Sequence, residues 1–338
     1  MESNTSGSNT FSWPDVDWRE LRRLRARFLA FDGEIVADVS RDYWESESAM
    51  GSYDFTFAER IGWKWDTVLA ELQARGWSPP RGAALDWGCG TGVAGRRVVA
   101  AWPDEIGQLR LLDQSASARD FAMRRCREDF PHLDVAPARP GAAPALLIIS
   151  HVLNELSSAA LERLIAAIKS AEAVLWVEPG TFAASRKLIT ARETLASQFH
   201  IIAPCTHAAR CGMLAAGNER HWCHHFAKIP GFVHVDPGWS RFATEMEIDV
   251  STLPFSYLVL DRRSWPFASA PELSRVIGGP RLYKGFAKIL NCQSDGVREL
   301  TLQKRDAPDL FKSLKKAPGS LYRWERDGDK IRGGAQLF

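Results

Sequence analysis

Residues 85–95 read LDWGCGTGVAG, and this stretch decides how the middle of the chain folds. Asp86 closes a short apolar run, a turn with three alternate glycines follows, and a helical pattern begins at about Val93. Glycine adopts positive φ readily and lets a ligand approach the backbone closely. A helix that begins directly after such a turn offers free N–H groups to a phosphate or a carboxylate. The stretch therefore predicts a strand, a ligand-binding turn and a helix, with the glycines at Gly88, Gly90 and Gly92.

Short apolar runs and helical patterns alternate along the chain around this turn. Residues 83–88, 109–113, 143–150 and 173–180 have the pattern of strands, and a helical stretch follows each of them. Strict alternation of this kind predicts a parallel sheet with helices on both faces, joined by right-handed crossovers. The sequence thus indicates an α/β, Rossmann-like core over residues 80–200.

The segments on either side of this core have different patterns. Residues 13–78 carry apolar positions at helical spacing and predict a helical N-terminal segment, preceded by a disordered tail over residues 1–12. Residues 201–305 hold a cysteine-rich insertion and closing strands, and residues 306–338 form a basic, weakly patterned tail. The strands expected in this part are residues 256–263, 285–292 and 297–305.

Composition places the chain among globular proteins of the aqueous phase, because 45% of its 338 residues are hydrophobic and 25% are charged. No apolar run reaches the roughly 18 residues of a membrane span. The first residues lack the apolar region of a signal peptide. We therefore expect a cytoplasmic protein with no membrane partner, and we expect a monomer. Thiols stay reduced in the cytoplasm, where clustered cysteines bind metals or act in catalysis more often than they form disulfides.

The net charge of +2 is distributed unevenly. Residues 275–338 contain 14 Lys and Arg against 7 Asp and Glu, whereas residues 1–274 contain 29 against 34. A basic C-terminal quarter on a slightly acidic body favours an anionic partner such as nucleic acid. The alternative is a solvated surface with no partner.

Two kinds of cofactor fit a glycine turn of this type. Dinucleotides prefer G-x-G-x-x-G followed by an acidic residue about 20 positions on. This chain has D-x-G-x-G-x-G, with Asp113 ending the next strand, and so resembles the first motif of class I S-adenosylmethionine-dependent methyltransferases. The resemblance implies that the turn holds the methionyl part of the cofactor and that the acid binds the ribose hydroxyls. By match, the cofactor-binding residues are Asp86, Gly88, Gly90, Gly92 and Asp113. The alternative is a tight turn in an unrelated α/β protein.

A candidate methyl-transfer site follows the strand that ends in SHVLNELSS. Asn154 and Glu155 come directly after this strand and are the candidate catalytic residues; the alternative is a helix cap and a first-turn acid. Methyltransferases that act on exocyclic amines of bases usually carry Asn/Asp-Pro-Pro-aromatic at this place, and this chain does not. Glu178, which ends the next strand, belongs to the same edge of the sheet. The sequence identifies no general base, and methyl transfer can proceed by positioning alone.

Three of the six cysteines lie within residues 204–226, PCTHAARCGMLAAGNERHWCHHF. Zinc modules usually pair cysteines two to four residues apart, and this stretch has no such pair. Iron–sulfur clusters tolerate wider spacing, but a fourth ligand is needed, and Cys292 is the candidate. Histidines are the alternative ligands of a zinc site; the other roles open to them are donors to sulfur and surface residues. These histidines are His207, His221, His224 and His225. The remaining cysteines, Cys89 and Cys126, are expected to be apolar packing residues.

The combination of LDWGCGTG, SHVLNEL, VEPG, C-x5-C with WCHHF, and R-x-x-K-G…C resembles the methyltransferase-like assembly factors of the mitochondrial small ribosomal subunit and their bacterial relatives. The resemblance implies a class I methyltransferase fold with a Cys-rich metal-binding insertion. It also implies a 4Fe–4S cluster, with ribosomal RNA of the small subunit as the partner. By match, the cluster ligands are Cys205, Cys211, Cys223 and Cys292.

Two functions follow from this resemblance. The first is a methyltransferase that acts on or binds small-subunit ribosomal RNA. The second is a non-catalytic RNA-binding assembly factor whose iron–sulfur or zinc site is structural. A radical S-adenosylmethionine enzyme is not favoured, because its C-x3-C-x2-C motif is missing.

Overall fold

A computed structural model describes residues 11–30, 44, 46–139, 141–264, 272–316 and 320–337. The chain begins with helices: a short 3₁₀ turn at Trp13–Asp15, α1 (Trp18–Ala30), α2 (Glu47–Tyr53) and α3 (Glu59–Ala74), with a π-helical turn at Asp54–Ala58 joining α2 to α3. Within the described residues, these helices lie in the part of the chain for which the sequence predicts a helical segment. Most of the predicted tail, residues 1–10, lies outside the described residues, but Phe11 packs against Phe55 with 5.5 Å between ring centroids.

The first sheet contains the predicted alternation of strands and helices. Its parallel strands are β1 (Ala83–Trp87), β2 (Gln108–Leu112), β3 (Asp134–Pro137), β4 (Leu146–Ser150) and β5 (Ala173–Pro179), followed by β6 (His200–Ala203), β7 (His225–Phe226) and β8 (Pro254–Asp261). Their helices are α4 (Val93–Ala101), α5 (Ala116–Asp129), α6 (Ser158–Ser170), α7 (Phe182–Leu195) and α8 (Pro237–Glu245), with 3₁₀ turns at Gly212–Leu214 and Gly231–His234.

The strand order is β3-β2-β1-β4-β5-β8-β6, and β7 pairs with β8. Strands β1 to β5 run parallel, whereas β8 is antiparallel to both β5 and β6. This is the order of the class I methyltransferase sheet, so the predicted α/β fold class is confirmed. The short strand β3 has no counterpart in the sequence prediction, because DVAP combines one apolar residue of strand type with an acid and a proline.

Apolar residues cover both faces of this sheet. On one face, side chains of α3, α4, α5 and α8 pack together, among them Leu72, Val98 and Phe242. On the other face, Leu164 of α6 and Leu188 of α7 pack against the remaining strand residues. The carboxyl ends of β1, β2, β4 and β5 therefore meet at one edge between two helical layers, and this edge carries the glycine turn.

A second sheet follows the first along the chain. It contains β9 (Leu273–Val276), β10 (Arg281–Leu282), β11 (Phe286–Gln293), β12 (Gly296–Gln303), β13 (Leu321–Asp327) and β14 (Lys330–Gln336), with α9 (Pro308–Lys316) between β12 and β13. The order is β10-β11-β12-β14-β13-β9, and β11 also pairs with β9. Five of these strands therefore close into a barrel.

This barrel corrects two predictions. Residues 285–292 and 297–305 are strands as predicted, but they belong to the second sheet and do not close the first. Residues 306–338 are not a tail, because α9, β13 and β14 complete the barrel. The sequence of β14 does not show the alternation of apolar and polar residues that predicts a strand. Ile331 is its one buried residue, and the others include lysine, arginine, glycine and glutamine. Among the described helices, none is long and apolar enough to cross a membrane.

Candidate functional site

The glycine turn between β1 and α4 has the conformation that its sequence predicts. The φ angles are 72° at Gly88, 52° at Gly90 and 82° at Gly92, all in the left-handed region. A Cβ on Gly88 would lie 2.7 Å from Cγ1 of Val152, and one on Gly92 would lie 2.9 Å from Cβ of Ala122. The turn therefore requires glycine both for its backbone and for its close packing.

Asp86 lies beneath this turn and is fully buried. Its Oδ2 accepts a hydrogen bond from the backbone N–H of Gly95 at 2.9 Å, which ties β1 to the first turn of α4. Its Oδ1 is also buried and has no hydrogen-bond partner within the described part of the chain. Burial raises the pKa of Asp86 to about 7. A buried acceptor with no protein donor fits a ligand that supplies one.

Asp113 follows β2 and is held against the same turn. Its Oδ2 accepts from the N–H of Gly90 at 2.8 Å, and its Oδ1 accepts from the N–H of Ser115 at 2.9 Å. Ser115 in turn caps α5 by accepting from the N–H of Ala118 at 3.1 Å. The structure thus brings together the glycine turn and the two acids that the sequence predicts as cofactor-binding residues.

The candidate catalytic residues lie in the loop between β4 and α6. Asn154 is half-buried, and its Oδ1 accepts from Nζ of Lys187 at 3.4 Å. Glu155 is also half-buried, and its charge contributes, after burial, to raising the pKa of Tyr53 in α2. The cap of α6 is Ser157, whose side chain accepts from the N–H of Ala160. Asn154 is therefore not the cap of α6 and Glu155 does not belong to its first turn, so that alternative is wrong.

Lys64 and His151 form a contact that sequence reasoning missed. Nζ of Lys64 lies 2.9 Å from Nε2 of His151, and Nδ1 of His151 lies 3.2 Å from Oγ of Ser150. Burial lowers the pKa of Lys64 to about 7 and that of His151 well below its usual value. His151 has φ of 57°, which is uncommon for a residue with a side chain. The two residues are 87 positions apart, and no local sequence pattern indicates that they meet.

Glu178 supports the same loop from below. Its side chain is fully buried at the end of β5 and accepts from Nε1 of Trp176 at 2.7 Å. It also accepts from the backbone N–H groups of Val152 and Leu153. Burial raises the pKa of Glu178 to about 7. Glu178 therefore positions the loop that packs against Gly88, in agreement with the expectation that it belongs to this edge.

The four predicted cluster cysteines come from four separate segments. Cys205 follows β6, Cys211 precedes the 3₁₀ turn at Gly212–Leu214, Cys223 precedes β7, and Cys292 lies in β11. Burial, and then the neighbouring Cys205, Cys211 and Cys292, raise the pKa of Cys223 well above its usual value. The four thiols thus lie within electrostatic reach of one another. Among the described residues, however, no group of three or more His, Cys, Asp or Glu side chains is arranged to hold a metal ion.

Polar groups surround these thiols. His207 is buried with its Nε2 3.4 Å from Sγ of Cys292, and His225 is buried with its Nε2 3.8 Å from Sγ of Cys223. Burial and the other thiols raise the pKa of Cys292, whereas the charges of Arg192 and Arg275 act in the opposite direction. His207 and His225 therefore have the positions of donors to sulfur.

The other two histidines are placed differently. The ring of His224 stacks on Trp222 with 4.6 Å between centroids. His221 is half-buried beside Arg220. These contacts bring neither ring to a thiol. The thiols of Cys89 and Cys126 are buried in the core beneath the glycine turn, and burial raises the pKa of both. Both are packing residues, as predicted.

A buried ion pair joins residues 204–226, the cysteine segment, to the rest of the chain. The guanidinium of Arg275 donates to both carboxylate oxygens of Glu71, at 3.0 and 2.5 Å, and its Nε donates to the carbonyl of Pro204 at 2.8 Å. Arg275 belongs to β9 and Glu71 to α3, while Pro204 precedes Cys205. One side chain therefore connects the second sheet, the N-terminal helices and the first cysteine.

The family described as the mitochondrial small ribosomal subunit Rsm22 matches residues 66–327. The chain belongs to the Rsm22 family. The match begins within α3 and ends with β13, so the Rsm22 region includes the glycine turn, Asp113, the β4–α6 loop and all four cysteines of the cluster prediction. This Rsm22-family chain has no match among the curated proteins.

Solved methyltransferase structures are similar to this Rsm22-family chain at low identity. The N-methyltransferase NodS from Bradyrhizobium japonicum, in complex with S-adenosyl-L-homocysteine, is 13% identical, covering 70% of this chain and 98% of that chain with a TM-score of 0.38. Magnesium protoporphyrin IX methyltransferase from Synechocystis PCC 6803, with bound S-adenosylmethionine, is 14% identical, covering 76% of this chain and 100% of that chain with a TM-score of 0.37. The family assignment rests on the Rsm22 match and not on these distant likenesses.

Proposed function

We propose that the chain is an S-adenosylmethionine-dependent methyltransferase that acts, as a monomer, on ribosomal RNA of the small subunit. The observation that carries the proposal is the glycine turn with Asp113 bonded to the N–H of Gly90 at 2.8 Å. The second support is membership in a family whose description names the mitochondrial small ribosomal subunit. The third is the basic C-terminal quarter, which suits an RNA partner.

The residues of the turn fit this cofactor. The buried Oδ1 of Asp86 has no donor among the described residues and suits the ammonium group of the methionyl part. The glycines would let that part approach the backbone, and the free N–H groups at the N-terminus of α4 would hold its carboxylate. Asp113 is the acceptor for the ribose hydroxyls. The bound cofactor supplies a methyl group on a positively charged sulfur.

The chain itself contributes position. Glu178 and the Lys64–His151 contact fix the loop that carries Asn154 and Glu155. These two side chains lie on the edge where the acceptor of the methyl group would bind, and they orient it by hydrogen bonds. A reaction of this kind gains its rate mainly from holding the two reactants in line.

We also propose that Cys205, Cys211, Cys223 and Cys292 bind a 4Fe–4S cluster; zinc is the alternative. The donor set is suitable, because four thiols from four separate segments share one region. His207 and His225 would then donate to sulfur. A cluster in this place joins the cysteine segment covalently to β11 of the barrel.

The second candidate function is a non-catalytic RNA-binding assembly factor with a structural metal site. It is favoured by the loop after β4, which reads SHVLNEL where base-amine methyltransferases carry Asn/Asp-Pro-Pro-aromatic. In that loop the Oδ1 of Asn154 already accepts a hydrogen bond from Nζ of Lys187. The metal site would then stabilise the fold of an RNA-binding surface and take no part in a reaction.

Methylation mapping of small-subunit RNA separates the two functions. RNA from cells without the gene is compared with RNA from cells that carry the wild-type gene, an Asp113→Ala gene or an Asp120→Ala gene. Asp120 is an exposed residue of α5 and serves as the matched control. We expect one modified nucleotide to be lost in the deletion and in Asp113→Ala, and to be present with Asp120→Ala. An identical methylation map in all four samples would contradict the enzymatic function and favour the second candidate.

A further inference from the structure

The second sheet has the topology of an oligonucleotide-binding barrel. In chain order its barrel strands are β9, β11, β12, β13 and β14, and around the barrel they run β9-β11-β12-β14-β13 and back to β9. β12 and β14 pair in parallel, the other neighbours pair antiparallel, and α9 connects the third strand to the fourth. This is the arrangement of the OB-fold, whose ligands bind on strands two and three and on the adjoining loops.

Part of that ligand face is already covered in this chain. The outer residues of β11 alternate with buried ones, so that Phe286, Lys288, Leu290 and Cys292 share one face. Leu290 and Cys292 pack with Met213 of the cysteine segment. The open part of the face is therefore the end of β11 that carries Phe286 and Lys288, together with the loop that enters it.

An exposed aromatic stack lies at this open end. The rings of Tyr283 and Phe286 are parallel to within 11°, with centroids 4.5 Å apart. Tyr283 is 46% exposed although it stacks on its neighbour, and the backbone N–H of Tyr283 donates to the carbonyl of Phe286 at 2.8 Å. The short turn therefore holds the tyrosine ring with one face against Phe286 and leaves it open to solvent on its other side.

Cations surround the stack. The N–H of Lys304 donates to the carbonyl of Gly285 at 2.9 Å, which brings the end of β12 beside the loop. Gly285, Lys304 and Arg305 line an open depression there, with Gln303 and Pro308. Arg281 and Lys288 share one carboxylate, that of Glu299. Arg305 is 85% exposed and pairs with Asp306 at 3.6 Å, and within the described residues neither Lys284 nor Lys304 makes an ion pair.

We infer that this surface, defined by Tyr283, Phe286, Lys284, Lys304 and Arg305, binds single-stranded RNA. A base stacks on the open face of Tyr283, and the three cations contact phosphates on either side of it. Aromatic platforms flanked by cations suit an unpaired strand, because every base has a π-face and every linkage has a charge. A duplex hides its base faces, and an acidic peptide has no flat ring for the tyrosine. The inference rests on the proposed RNA partner and specifies where that partner is held.

Fluorescence polarisation with a labelled oligouridine of about 12 nucleotides, a length within the range of one OB-fold, tests the inference on the full chain. Tyr283→Ala is expected to weaken binding about 5- to 100-fold, whereas Tyr283→Phe keeps the ring and the affinity. Lys304→Gln combined with Arg305→Gln is expected to lower the slope of log K against log salt by about 1.4, since each lost phosphate contact removes about 0.7. The matched controls are Phe232→Ala, which removes a 51% exposed ring from the 3₁₀ turn at Gly231–His234, and Arg163→Gln with Lys169→Gln on α6.

A loss of oligouridine affinity in Tyr283→Ala, with no loss in Phe232→Ala, supports the inference. Equal affinity of wild type and Tyr283→Ala overturns it and leaves the proposed RNA partner in place. Equal competition by a duplex or by polyglutamate also overturns it, because charge alone would then explain the binding. A wild-type chain that binds no RNA at low salt overturns both the inference and the RNA partner.

Discussion

Replacing Glu71 by glutamine is expected to lower the free energy of unfolding by about 3–5 kcal/mol, because it removes one partner of a buried ion pair. Arg275 is 1% exposed and would keep its full charge without a counter-charge. Its remaining acceptors, the carbonyl of Pro204 and Oγ of Ser320, carry no net charge. Tyr257, whose hydroxyl donates to Glu71 at 2.9 Å, would also lose a charged acceptor. Urea unfolding at pH 7 measures the change.

The pH dependence of this contribution has a defined sign. Burial alone would raise the pKa of Glu71, but the charges of Arg275 and Arg75 overcome it and lower the pKa to about 2, from 4.5. A carboxylate with a depressed pKa stabilises the fold above its unfolded value and loses that contribution as the pH falls through the folded value. The difference in the free energy of unfolding between wild type and Glu71→Gln is therefore largest above about pH 5. It decreases as the pH falls from about 4.5 to 2.

The matched control for Glu71 is Glu47, whose carboxylate pairs with Arg124 on the surface with 75% of its side chain exposed. Glu47→Gln is expected to change stability by less than about 1 kcal/mol. Equal effects of the two substitutions would mean that the Arg275 contact does not hold the three parts of the chain together. Replacing both Glu71 and Arg275 by methionine is expected to restore part of the loss, because the fully buried charge of Arg275 is removed together with its partner. The restoration is incomplete because Arg75, which pairs with Glu71 at 2.7 Å, keeps its charge.

Cys211→Ser is expected to abolish binding of the proposed 4Fe–4S cluster. Chain purified without oxygen should be brown and contain about four iron atoms and four sulfides per molecule. Serine is a poor ligand for iron in place of a thiolate, and the three remaining thiols come from separate segments, so the cluster should be lost or unstable. Elemental analysis and the visible absorption spectrum measure both properties.

Cys126→Ala is the control for that substitution, because this thiol is buried in α5 outside the group of four. It should leave iron and colour unchanged. A colourless wild-type chain with one zinc ion would show that the site binds zinc and not a 4Fe–4S cluster. Iron that stays bound in Cys211→Ser would remove Cys211 from the ligand set.

The sequence predicts the geometry of the glycine turn well because its signals are local. A strand, three glycines and a helix occupy eleven consecutive residues, and their backbone angles follow from the glycines themselves. Asp113 is found by its place at the end of the next strand, and parallel strands bring such residues to one edge. The Lys64–His151 contact has no such signal, since a lysine on a helix is usually a solvated residue.

The barrel was missed for a related reason. Small barrels are built from short strands with few buried residues each, and β14 has only Ile331. The basic composition of residues 306–338 indicated a solvated tail, although Tyr322 and Trp324 are buried inside the barrel. The convergence of the four cysteines was predicted through the family resemblance, and their spacing alone left zinc and iron open. Sequence distance does not reveal which thiols meet when the segments between them are irregular.

Isothermal titration of the purified chain with S-adenosylmethionine tests whether the glycine turn binds this cofactor. We expect saturable binding of one cofactor per chain. Asp113→Ala should weaken it at least about tenfold, because a charged acceptor for the ribose and for the N–H of Gly90 is lost. Asp120→Ala, on the exposed side of α5, should bind like wild type. A wild-type chain that gives no binding heat even at high cofactor concentration would contradict the claim that this glycine turn is a methyltransferase cofactor site.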